Sequence, residues 1–245
     1  MPQIVGLRRY PLKGAASIPH RQLMVNTTVG VVGDRVLALR QREGGLTERP
    51  DPFNKLDYLV CANTPAIAQY RPHLIADGRA CELHEAHLAL LQERFGPFSL
   101  QDTNGEYHLG DTAGAQVSFI NLATVRALNE HVGAAIDPER FRMNVQFDGL
   151  PAFEEYEWVN GYPGTREIRV GTVRMRVDDA AERCKATHAN PQTGIYDMPM
   201  MSTLRDFMEA RGYKSPHRST PCVMGFYGVV LERGIISVGD EITPI

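Results

Sequence analysis

A chain of 245 residues with 43% hydrophobic and 22% charged side chains is one large domain or two small ones, able to bury a core without covalent staples. Its net charge of −3 supplies no global basic field, which excludes nucleic acid as an expected partner; an anionic ligand would have to meet local Arg and Lys. Cys61, Cys81, Cys184 and Cys222 lie far apart with no CxxC pair, which argues against a disulfide scaffold and a zinc site and for a reducing cytoplasm.

In chain order, residues 4–12 read as a strand ended by Pro11-Leu12-Lys13-Gly14. Leu23, Val25 and Thr27 alternate with Met24 and Asn26, the pattern of a half-buried strand. Gly33-Asp34 signals a turn into a strand over 35–41, so a hairpin is expected here. Residues 43–55, with Gly44-Gly45, Pro50 and Pro52, are loop, and 56–61 a short strand. Leu83, His87, Leu90, Leu91 and Arg94 describe an amphipathic helix ending near Gly96-Pro97. Leu122, Val125, Leu128 and Val132 describe a second, with Asn121 as its N-cap and Gly133 as its stop. Short strands follow at 144–147 and over 168–177, the latter broken at Gly171. Ser202 reads as the cap of a helix over 203–211, ended by Gly212, and strands at 226–232, 235–238 and 241–243 close the chain. Many short strands with few helices predict an α+β fold, mainly β and barrel-like, rather than alternating βαβ units. No signal-peptide pattern follows Met1 and no apolar run is long enough for a bilayer, so no membrane contact is expected.

Cys184 stands in Arg183-Cys184-Lys185-Ala186-Thr187-His188-Ala189-Asn190-Pro191-Gln192-Thr193-Gly194, at the end of a strand-like run. Flanking Arg and Lys favour the thiolate, which is a nucleophile, a sulfur carrier or a ligand for a soft metal. The Asn190-to-Gly194 stretch would fix a bend behind it. The competing reading is a small buried core thiol. Elsewhere, His84-Glu85-Ala86-His87 lacks the zinc-protease spacing and reads as a solvated helix face. Glu154-Glu155 reads as an exposed loop pair rather than an acid–base pair, Trp158 as packing rather than stacking, and Cys61, Cys81 and Cys222 as core.

Three further segments form an ordered set with the Cys184 stretch: Tyr10-Pro11-Leu12-Lys13-Gly14; Arg140-Phe141-Arg142-Met143-Asn144 followed by Phe153-Glu154-Glu155-Tyr156-Glu157-Trp158; and Pro199-Met200-Met201-Ser202-Thr203-Leu204. In this order they resemble the MOSC superfamily, named for the C-terminal domain of molybdenum-cofactor sulfurase, and within it the amidoxime-reducing components and their bacterial counterparts. The resemblance spans nearly the whole chain and is densest from about Gly110 onward. It implies a MOSC-type β-barrel, with a β-rich, barrel-like N-terminal subdomain over 1–109 and the domain core over 110–245. It also implies a molybdenum-pyranopterin cofactor. By motif match Cys184 ligates the metal; Lys13, Arg35, Arg142 and Asn144 hold the pterin and its phosphate; Asp111 and Thr112 belong to a further loop near the metal; Thr187 follows the ligand cysteine at the family spacing. The chemistry agrees, since a phosphorylated pterin carries about two negative charges that a mildly acidic chain must meet with local cations. Gly14 stands where many relatives have Ser, Met143 where Pro is frequent, and Ala181 where some reducing enzymes carry a second Cys.

The resemblance implies an oxidoreductase that removes oxygen from a small N-hydroxylated substrate, with Cys184 as the catalytic and metal-binding residue. The chain shows no cysteine cluster for an iron–sulfur centre and no glycine fingerprint for a dinucleotide, so electrons are expected from a separate donor protein of ferredoxin, flavoprotein or cytochrome type. Two alternatives use the same residues: a sulfur-transfer protein carrying a persulfide on Cys184, and a non-catalytic cofactor carrier. For the binding residues the plain alternatives are surface arginines at Arg35 and Arg142, a solvated Lys13, and turn or bend roles for Asn144, Asp111 and Thr112.

Overall fold

In the computed structural model, which describes residues 1–41, 57–72, 85–110, 116–160, 166–214 and 221–245, apolar side chains on alternating strand positions set the frame. The elements are β1 (Gln3–Arg9), β2 (Ile18–His20), β3 (Gln22–Asn26), β4 (Gly30–Val31), β5 (Leu37–Gln41), α1 (Glu85–Phe95), β6 (Phe98–Asp102), β7 (Val117–Asn121), α2 (Leu122–Val132), β8 (Val145–Asp148), α3 (Glu155–Asn160), β9 (Glu167–Val170), β10 (Val173–Glu182), α4 (Met200–Ala210), β11 (Val223–Glu232), β12 (Gly234–Ser237) and β13 (Ile242–Pro244). An eight-stranded sheet runs β13-β9-β10-β11-β7-β8-β1-β2 and curls into a half-barrel; β12-β3-β4 and β5-β6 form two smaller sheets. Among the described residues, only β7 and β8 pair in parallel in the large sheet, joined by the α2 crossover. The fold is α+β and mainly β, as the element pattern predicts. Among the described residues, no helix is long and apolar enough to cross a membrane.

Buried apolar clusters hold this frame. The inner face of the large sheet buries Ile4, Phe119, Phe147, Met175 and Phe226, with Trp158 closing over them. Phe119 and Phe226 stack at 4.8 Å, and Trp158 lies 6.3 Å from Phe147, so Trp158 is a packing residue. On the other face, α2 and α4 bury Leu128, Leu204, Phe207 and Met208. A third cluster of Leu12, Leu37, Leu39, Leu59 and Ile67 lies under β5 and β6. Each such fully buried side chain contributes about 1.5–3 kcal/mol.

Local signals hold where the partner is local. Asn121 caps α2 by accepting from the Ala123 amide at 3.0 Å, and Gly133, at φ 73°, ends it in the left-handed conformation. The break at Gly171 separates β9 from β10 as expected. Four expectations are corrected. Strand β3 does not form a hairpin with the 35–41 strand: it pairs with β4 and β12, while β5 pairs with β6. The chain folds back early, because the Asn26 side chain accepts from the Thr28 and Val29 amides and initiates the β3–β4 turn. Of the strand expected over 56–61, only an isolated bridge between Arg40 and Tyr58 forms among the described residues. Helix α4 starts at Met200, capped by Pro199, so Ser202 sits in its first turn and donates to the Pro199 carbonyl at 2.9 Å.

Glu155 is the fourth. It is fully buried at the start of α3, while Glu154 is exposed. Strand alternation was the wrong period for a helical segment. Its carboxylate accepts from Thr124 Oγ1 at 2.6 Å and from Asn121 Nδ2 at 2.9 Å, tying α3 to the α2 cap. Burial pushes this carboxyl up, and the two hydrogen bonds oppose that shift. The side chains of the 84–87 motif and Cys81 lie outside the described residues.

Candidate functional site

Three chain segments meet at a cleft of about 360 Å³, and each arrives by a local device. After β1 the chain runs along the entry to β5: the Leu37 amide donates to Pro11 O at 3.0 Å and the Lys13 amide to Leu37 O at 2.8 Å. Gly14 then turns at φ +86°, where a Cβ would come within 2.9 Å of Leu59 O and Val60 Cα. The Ser of many relatives therefore cannot sit here without moving the Leu59-Val60 backbone. The second segment is a short 3₁₀ turn, Pro138–Phe141, capped by Asp137 and ended by Arg142 at φ 56°. The third is a 3₁₀ turn, Lys185–His188, which follows β10 and is entered through Cys184.

Lys13, Arg35, Arg142, Asn144, Cys184 and Thr187 all line this cleft, whereas Asp111 and Thr112 lie outside the described residues. Lys13 is 3% exposed, so it is no solvated lysine; its Nζ donates to Leu109 O at 2.8 Å and Gly110 O at 3.2 Å. Arg35 and Arg142 are not surface strand arginines either. Both guanidinium groups lie over the buried Tyr10 ring, at 5.0 and 4.5 Å from its centroid, and Arg35 Nη2 donates to Arg142 O at 3.0 Å. Arg142 Nη1 donates to Ala15 O at 2.6 Å, while its Nη2 is buried with no hydrogen-bond partner among the described residues. Asn144 accepts from Ser118 Oγ at 2.7 Å and donates to Arg8 O at 3.2 Å, which anchors it between β7 and β1.

Asp34 underpins the cationic wall. Its carboxylate accepts from the Tyr10 amide at 2.6 Å, from the Arg35 guanidinium and from His108 Nε2 at 3.3 Å. Burial alone would raise this carboxyl, but Arg35, His108 and the Tyr10 amide together hold it down at about 2. Arg35 is thereby fixed by a charge placed behind the cleft.

Cys184 is half-buried, so it is not a sealed core thiol. Its carbonyl accepts from the Thr187 amide at 3.0 Å and from Thr187 Oγ1 at 2.9 Å, so Thr187 closes the turn on which the sulfur sits. The bend at Asn190 forms as expected, with its Oδ1 accepting from the Gln192 amide at 2.8 Å. The flanking cations are turned to other partners. Arg183 donates to Phe141 O at 2.7 Å and Tyr227 Oη at 2.8 Å, and Lys185 Nζ lies 4.8 Å from the centre of the Tyr196 ring. Cys61 is buried as expected but also forms part of the cleft wall, with its thiol donating to Gly14 O at 2.9 Å. Cys222 is only half-buried, and burial pushes its thiol up against the opposing charges of Arg205 and Arg183.

Sequence reasoning passed over Arg140, His108, Glu182 and Tyr227, which also line the cleft. Arg140 stood inside a motif already singled out and His108 three positions before Asp111, but residue type alone gave no reason to prefer them. Arg140 is 6% exposed and clamps the Cys184 turn: it donates to Thr187 O at 3.2 Å, His188 O at 3.0 Å and Asp197 Oδ1 at 2.8 Å. Its Nε is buried with no hydrogen-bond partner among the described residues. Among the described residues, no group of three or more His, Cys, Asp and Glu could hold a metal ion. The half-buried Cys184 sulfur beside guanidinium groups is a donor set for a group that brings its own metal ligands and an anionic tail.

A family model described as MOSC domain matches residues 104–243. Residues of this chain are 27% identical over 128 positions to mitochondrial amidoxime-reducing component 1 of Xenopus laevis, covering 51% of this chain and 35% of that protein. Mitochondrial amidoxime reducing component 2 of Bos taurus is 30% identical over 128 positions, covering 51% of this chain and 36% of that protein. The matched stretch thus spans about a third of the length of these relatives. Among solved structures, the YUAD protein from Bacillus subtilis superposes with a TM-score of 0.50 at 14% identity, covering 100% of this chain and 96% of that one, a likeness of fold.

Proposed function

Because this chain belongs to the MOSC domain family, we propose that its cleft holds a molybdenum-pyranopterin cofactor and that the protein reduces small N-hydroxylated compounds. The observation that carries this reading is the convergence of Cys184 with Lys13, Arg35, Arg142 and Asn144 on one cleft from four separate stretches of chain. The residues suit the group. The buried, unpartnered Arg142 Nη2 and Arg140 Nε are donors that an anionic, hydrogen-bonding ligand would satisfy.

When bound, the molybdenum centre supplies two-electron chemistry at an oxygen atom. The chain's own part is to bind, orient and shield. Arg35 and Arg142, braced on Tyr10, would hold the phosphate and pterin edge; Lys13 adds a point charge; Asn144 keeps an amide N–H beyond the one given to Arg8. Cys184 would be the single protein ligand to the metal, presented by a turn that Thr187 and Arg140 keep closed. In the overall reaction the N–O bond breaks, two electrons and two protons are consumed, and an amidine or amine leaves with water. The electrons would come from a separate protein of the ferredoxin, flavoprotein or cytochrome type.

The reading is tested with the cofactor-loaded protein, benzamidoxime and a reduced viologen as artificial electron donor. Benzamidine formation is expected from the native protein and none from Cys184→Ser. Equal turnover by the two proteins would overturn the role given to Cys184.

A further inference from the structure

His108 stands in the cleft wall with one ring nitrogen already assigned. Its Nε2 lies 3.3 Å from Asp34 Oδ2, and the Asp34 side chain is fully buried and ionised, so Nε2 carries the proton and donates. The ring rests against Gly110, where an added Cβ would come within 2.5 Å of Nδ1 and Cε1. In the neutral ring Nδ1 is then an acceptor, and no partner for it is found among the described residues. Its neighbours on this wall differ in kind. Lys13, Arg35 and Arg142 are donors only, and the Asn144 carbonyl is taken by Ser118. These cations can attract an anion, and on their side of the cleft His108 Nδ1 is an acceptor that can recognise a heterocycle edge bearing N–H groups.

We propose that His108 is a ligand-contacting residue of the cleft, whose Nδ1 accepts a hydrogen bond from an N–H of the bound heterocycle while Asp34 fixes its tautomer. The inference rests on the proposed pterin site and names a contact that the motif match does not assign. Asp34 thereby positions two contacts of opposite character, the donor Arg35 and the acceptor His108.

The test measures pterin retention, not turnover. Native protein, His108→Phe and His108→Gln are purified from a molybdenum-replete host, dialysed, and assayed for pterin by fluorescence after oxidation. His108→Phe keeps the ring's bulk and removes the acceptor; it is expected to lose pterin about tenfold faster, the effect of about 1.4 kcal/mol. His108→Gln, which can still donate to Asp34 and accept from the ligand, is expected to stay within about threefold of the native protein, less than half that energy. Equal retention by native protein and His108→Phe overturns the contact while leaving the pterin site standing. Native protein without pterin overturns both. If His108→Phe does not melt cooperatively, the ¹⁵N signal of His108 Nδ1 in native protein decides: it is expected to move when pterin is removed, and an unmoved signal overturns the contact.

Discussion

Asp34 accepts from a backbone amide, a guanidinium and an imidazole while fully shielded from water, and this makes its charge a stabilising feature of the folded state. Its carboxyl is held at about 2 against an ordinary 3.8. A depressed carboxyl stabilises the fold above its unfolded value, and that contribution is lost as pH falls through the folded value; here the loss runs from about pH 4 to about pH 2 and amounts to roughly 2 kcal/mol. Asp34→Asn is therefore expected to be less stable than the native protein at pH 5, with the gap narrowing toward pH 2, as read by urea unfolding. Parallel curves across that range would contradict the assignment. In sequence this residue was legible only as half of a Gly-Asp turn. Its partners lie 24 and 74 positions away, and no local pattern carries such a distance.

The turn that follows β10 shows the same division between local and distant causes. That Cys184 ends a strand and that Asn190 bends the chain behind it were readable, because capping and turn chemistry act within a few residues. What Arg183 and Lys185 do with their charges was not, since a guanidinium reaching Phe141 O and Tyr227 Oη answers to packing on other elements. Helix α2 was legible at both ends, whereas β3 was given the wrong partner, because strand pairing is decided by non-local contacts and helix capping is not. The clamp from Arg140 gives the turn its rigidity. Arg140→Met is expected to strand the Thr187 and His188 carbonyls at about 1–3 kcal/mol, and to lower the thermal midpoint by roughly 2–10 °C. Amide exchange should quicken at Thr187 and Ala189 and stay unchanged within α2. An unaltered midpoint with unaltered exchange would show that the clamp is idle.

At the scale of the molecule, the cleft exists because β1, β7 and β8 bring residues 10–14 and 138–144 together while β10 and β11 deliver Cys184 to the same edge. Hydrophobic periodicity foretold strands and helices but nothing of that convergence. The ordered motifs did indicate which residues to watch, and Lys13, Arg35, Arg142, Asn144 and Cys184 line one cleft. The support behind them, Asp34, Tyr10 and Arg140, emerges only when the chain is folded, since each acts through a partner on another segment. The proposed chemistry depends on that cleft holding a metal-bearing pterin through the Cys184 sulfur. Metal analysis by mass spectrometry together with pterin analysis, on native protein and Cys184→Ser from a molybdenum-replete host, tests this most directly. About one molybdenum and about one pterin per native chain are predicted, with metal depleted in the variant. Native protein that is folded and intact yet carries neither would contradict it.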